Sequence, residues 1–142
     1  MSQYQHVMVV VDFSKDAELL IDKAVDVSLS RKASLSVVHI DHTASLPCYS
    51  MLGRDSESFG EEVESSSVKK LQNLLEGLDY PIESHVFFAD DFAGTVATIV
   101  DRYRVDLLMM GRHRYSWLAG VVFSVSGPVI REMPCDILLI EV

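Results

Sequence analysis

The 142-residue sequence has two cysteines, four prolines, a single tryptophan and no long apolar run. Cys48 and Cys135 lie far apart and outside any C-x-x-C spacing, which excludes a redox motif or zinc knuckle and fits a reducing compartment. Basic residues are also few, 12 against 21 acidic ones, giving a formal charge of −9. Such a chain repels a phosphate backbone and lacks the counterion release that drives nucleic-acid binding. No nucleic-acid partner and no anionic membrane is therefore expected. Met1 to His6 has no Lys or Arg, and the apolar run from Val7 stops at Asp12, too short for a signal peptide or a membrane span. A cytoplasmic protein is expected. The G-x-S-x-G elbow, the G-x-x-x-x-G-K-[ST] loop and the G-x-G-x-x-G turn are missing, so hydrolase, P-loop and dinucleotide chemistry lack their parts. With no catalytic constellation in view, the expectation is a protein that is not an enzyme.

What is present is an alternation of strand-length apolar runs with segments of helical period, the pattern that builds a parallel sheet covered by helices. The strand runs are Val7 to Val11, Leu35 to Ile40, Ile82 to Phe88, Val105 to Met110 and Ile137 to Ile140. The first is almost wholly β-branched, as a strand buried on both faces should be. Between them, Ser14 offers a cap for a helix carrying Ala17, Leu20, Ile21, Ala24 and Val27, and His42 to Ser58 reads as a loop. A second stripe of Phe59, Val63, Leu71, Leu74 and Leu78 is diluted by Ser65, Ser66 and Ser67 and closes near Gly77 and Pro81. Asp90 or Asp91 caps a third helix with Val96, Ile99, Val100 and Tyr103 on one face. A short helix is expected around Val125 to Met133. The size suits one domain, residues 1–142. The predicted fold is α/β: a flavodoxin-like, open, mostly parallel five-stranded sheet of order 3-2-1-4-5 with helices on both faces.

That order makes the first and fourth strands neighbours, and ligands of open α/β sheets bind where the winding reverses, at the carboxyl ends of the strands. Asp12 and the segment from Gly111 fall there. Asp12 has two readings, a ligand contact or a cap or ion pair with Arg112 or Arg114. Gly111, Arg112, His113 and Arg114 form the one dense basic cluster, suited to a phosphate or carboxylate or to pairing with Asp90 and Asp91. Ser124, Ser126 and Gly127 offer hydroxyls and amides to an anion or a helix cap. His39, Asp41 and His42 look like metal ligands on paper, but alternation sets 39 and 41 on one face and leaves 42 in the loop, so no metal is expected. Trp117 to Phe123 reads as core filler or a partner-facing patch.

Taken together, four stretches resemble the universal stress protein family. Val11-Asp12-Phe13-Ser14 resembles its V-D-x-S, and Val37 to Asp41 its V-x-H-V strand. Asp106 to His113, D-L-L-M-M-G-R-H, is similar to its D-L-I-V-M-G-S-H, and Ser124 to Ile140 resembles its last helix and strand. The resemblance covers essentially the whole chain. It implies an α/β sandwich that forms a homodimer through the last strand, here Ile137 to Val142, an apolar segment with no Lys or Pro to guard an exposed edge. Members of the family divide into those that hold ATP and those that do not, according to a motif of glycines that lets bare backbone approach the phosphates.

By resemblance, the nucleotide contacts fall on Asp12, Ile40, Met110, Gly111, Arg112, His113, Ser124 and Val125. Gly111 keeps the first motif glycine and Ser124 the hydroxyl, whereas Arg114 and Phe123 stand where the other two glycines belong, with the segment between them one residue short. The resemblance thus implies a non-catalytic stress-response binding or regulatory module with a degenerate nucleotide pocket. A genuine ATP-binding member, with an adenine nucleotide as ligand, is the alternative, and a slow ATPase the third.

Overall fold

A computed structural model describes residues 3–42, 56–112, 129, 131 and 133–141. Five strands form one sheet: β1 His6–Val10, β2 Ser34–His42, β3 Ile82–Ala89, β4 Leu107–Arg112 and β5 Asp136–Glu141. The order is β3-β2-β1-β4-β5 and every pairing is parallel, which bears out the predicted topology. Three helices accompany it among the described residues: α1 Ala17–Arg31, α2 Ser56–Leu75 and α3 Phe92–Arg102.

β1 stands at the centre, and from Val7 to Val11 no polar residue interrupts the chain. Val7, Val9 and Val11 face one side, packed with Ala17, Leu20, Ile21 and Ala24 of α1 and Leu71 of α2. Met8 and Val10 face the other, with Ala93, Val96, Ile99 and Val100 of α3. Burying each large side chain contributes about 1.5–3 kcal/mol, and in a strand covered on both faces every residue adds its share. Val129 is buried in the second cluster, beside Met110 and Val105.

Two strands run further than their apolar residues do. Expected to stop at Ile40, β2 continues through Asp41 and His42, which pair with Phe88 and Ala89 of β3. His42 is therefore a strand residue and not part of a loop. In the same way β4 begins at Leu107 and continues through Gly111 and Arg112, paired with Ile140 and Glu141 of β5. Backbone partners on the neighbouring strand, not side-chain apolarity, set these ends. The N-cap of α1 falls on Asp16 and not on Ser14, and the Ser14 carbonyl accepts from the Ala17 amide at 3.2 Å. For α3, Asp91 is the cap, its carboxylate accepting from the Gly94 amide at 3.2 Å. After α2 the chain turns at Gly77, whose φ of 83° lies in the left-handed region that glycine tolerates.

Candidate functional site

The reversal of winding puts the carboxyl ends of β1 and β4 side by side, with Val10 paired to Met110. Four of the expected contact residues meet there. Asp12 is exposed just beyond β1, Ile40 is half-buried near the end of β2, and in β4 Met110 is buried and Gly111 half-buried. Val10, Ile40 and Met110 share the face covered by α3. The remaining candidates are not placed: His113, Ser124 and Val125 lie outside the described residues, as do Arg114, Trp117 and Phe123, and Arg112 is placed only as the last residue of β4.

Asp12 shapes its own turn. Its Oδ1 accepts from the Ser14 amide at 3.0 Å, an Asx turn that bends the chain away from the sheet. One carboxylate oxygen is thereby used locally and the exposed side chain stays at the mouth of the crevice. The end of β1 is tied to β2 twice, through the Val11 amide to the Val38 carbonyl at 2.9 Å and through the Val11 carbonyl to Nδ1 of His39, also at 2.9 Å.

His39 opens a buried polar chain on the α1/α2 side of the sheet. Its Nε2 lies 2.8 Å from Oδ1 of Asp41, on the same face as alternation requires, and Oδ2 of Asp41 accepts from the Ser67 hydroxyl of α2 at 2.6 Å. The Phe13 ring covers the imidazole at 4.1 Å between centroids. Among the described residues no group of three His, Cys, Asp or Glu could hold a metal ion. Ser67 had looked like dilution of the α2 stripe. It is instead buried, on the same helical face as Leu71 and Leu74, and the i, i+4, i+7 spacing of the three is the signal that finds it.

At the other end of the sheet the amino termini are pinned by different chemistry. Asp106 accepts from the amides of Gln5 and His6 at 2.8 and 2.9 Å, while His6 bridges the Tyr103 carbonyl and the Ser36 hydroxyl. A cavity of about 930 Å³ opens there, bordered by Lys32, Tyr80, Glu83 and Arg104. It lies away from the reversal of winding, and Asp12, Ile40, Met110 and Gly111 are not among the residues that border it.

Residues 3–141 match the model of the Universal stress protein family. A universal stress protein A homolog of Haemophilus influenzae is 28% identical over 137 residues, covering 96% of each chain. Among solved structures, a universal stress protein in complex with cAMP aligns with a TM-score of 0.63 at 19% identity, over 99% of this chain and 98% of that one. The universal stress protein of Archaeoglobus fulgidus in complex with dAMP aligns with a TM-score of 0.61 at 18% identity, over 98% and 99%.

Proposed function

The chain belongs to the universal stress protein family, and from that membership we propose that it is a non-catalytic regulatory module holding an adenine nucleotide between the ends of β1 and β4. The observation that carries this reading is the exposed Asp12 carboxylate at the reversal of winding, beside the carboxyl end of β4. Relatives of the same fold were solved with cAMP and dAMP, ligands with one phosphate group. A single phosphate makes the smaller demand on a segment in which, by resemblance, Arg114 and Phe123 stand where glycines belong, and a guanidinium can grip it bidentately.

Calorimetry with AMP, cAMP and Mg-ATP tests the proposal. The expected outcome is binding of AMP or cAMP, weakened at least tenfold by Asp12→Ala, and weaker binding of ATP. Silence with all three would overturn it. ATP bound near micromolar, about −8 kcal/mol, and tighter than AMP would establish the ATP-holding alternative instead.

We also propose that two copies pair through β5. Its Leu138 is 37% exposed, and its sequence has no Lys or Pro to obstruct pairing.

A further inference from the structure

The cavity at the amino ends of the strands is bordered by two residues that the fold alone does not require. Lys32 and Arg104 are the non-glycine residues with positive φ among the described residues, at 56° and 53°, and both border the same hollow of about 930 Å³. A side chain in the left-handed region is strained where glycine is not. After α2 the chain does use glycine, Gly77, for its left-handed turn. α2 also has no basic residue in its last turn, so a helix of this protein can end without a cation. α1 and α3 each carry one there, Arg31 and Arg102, which answers the carbonyl end of the helix. Lys32 and Arg104 are additional charges, kept in a conformation that works against the fold.

Among the described residues no carboxylate pairs with either side chain, although acidic residues outnumber basic ones 21 to 12. The floor of the hollow is fixed. His6 has Nδ1 2.9 Å from the Tyr103 carbonyl and Nε2 2.6 Å from the Ser36 hydroxyl, so both its ring nitrogens are engaged by the fold, and the Ser34 amide donates to the Gln5 carbonyl at 2.9 Å. The hollow also has an apolar border. Tyr80, whose hydroxyl donates to the Ala33 carbonyl, stands there with Pro81 and with Leu29, which is 63% exposed. Glu83 is the acidic residue on the border. Its side chain is 74% exposed, with the carboxylate 3.9 Å from Nε2 of His85, and water screens its charge.

We propose that this hollow is a second binding site, for a small organic anion: an oxyanion group, carboxylate or phosphate, held by Lys32 and Arg104, with a flat apolar body against Tyr80, Pro81 and Leu29. A pre-formed hollow with an apolar border and a few charged groups is the usual form of a small-molecule site. Lys32 supplies a point charge and Arg104 a planar fork that matches either kind of oxyanion. The site lies at the opposite end of the sheet from Asp12, so it stands whether or not a nucleotide binds between β1 and β4.

The test is an NMR titration of the backbone amides of the whole chain with phenyl phosphate, with benzoate and, as a neutral control, with benzamide. Saturable shifts at Lys32, Ser34, Tyr103 and Arg104 are expected with at least one of the two anions, and the anion that saturates them tells phosphate from carboxylate. Silence of these amides towards both anions overturns the site, as do shifts confined to Asp12 and Gly111, which report the other end of the sheet. Benzamide binding as tightly as the anions would leave an apolar hollow and overturn the role of the charges. Lys32→Gly and Arg104→Gly relieve the left-handed strain, so each should unfold at the wild-type temperature or above it while binding the anion about tenfold more weakly or worse. Binding retained in both variants, at whatever melting temperature, makes the two residues helix caps and overturns the proposal. Arg104→Gln removes the charge and keeps a side chain of similar length, so undiminished binding in it overturns the role of Arg104 even if the glycine variants fold poorly.

Discussion

Asp106 accepts from two successive backbone amides at the start of β1, a role that no neutral side chain fills fully. Asp106→Ala should cost about 2 kcal/mol and Asp106→Asn, which keeps one acceptor, about half of that; urea midpoints of the two variants check the order. Asp12 differs, because its Asx turn needs only one side-chain oxygen. Asp12→Asn should change stability by less than about 0.5 kcal/mol while weakening nucleotide binding, and a large fall in melting temperature would mark it as a purely structural cap. At Cys135, burial, helped by the charges of Asp136 and Asp106, pushes the thiol from 9.0 up to about 11 against a backbone hydrogen bond with Leu108. The folded protein keeps a proton that the unfolded chain gives up near pH 9. The stability this contributes is therefore present below that pH and lost as pH climbs toward 11. At pH 8 the thiolate fraction at Cys135 should be about a hundredfold below that of a free thiol, and iodoacetamide labelling read on the Cys135 peptide measures it.

At the scale of elements, the Asp91 cap of α3 gives a paired expectation. Asp91→Ala should cost about 1 kcal/mol, as loss of an N-cap does, and Asp90→Ala close to nothing; equal losses in thermal unfolding would contradict the assignment. The sequence left these two aspartates undecided because both precede the apolar stripe by nearly the same distance, and only the bond to Gly94 separates them. The strands were legible because a sheet buried on both faces writes itself as unbroken aliphatic runs. Their ends at Asp41, His42, Gly111 and Arg112 were not, since those residues are held by the backbone of the next strand, which leaves no trace in hydropathy. Within the candidate site, Asp12 and Gly111 could be foreseen from topology alone. The His39–Asp41 contact followed from strand alternation, but Ser67 lies 26 residues from Asp41 in sequence, and a serine inside a helical stripe reads as a flaw until its partner is known.

For the whole molecule, pairing through β5 predicts a dimeric mass by light scattering at micromolar concentration. Leu138→Lys should shift it toward the monomer by placing a positive charge at an exposed position of the pairing strand, without loss of the far-ultraviolet dichroism of the fold. An unchanged dimer in that variant would move the interface elsewhere. The central position of β1 has a further consequence, one of timing. The Asp106 carboxylate that fastens His6 arrives 100 residues later in the chain, with the β4 strand that completes the pairing of β1. At ribosomal rates of about 5–20 residues per second, one flank of the most apolar strand waits roughly 5–20 s for its partner. During that interval the nascent chain displays Val7 to Val10 as an open edge, so a fragment ending before Leu107 should aggregate where the full chain does not.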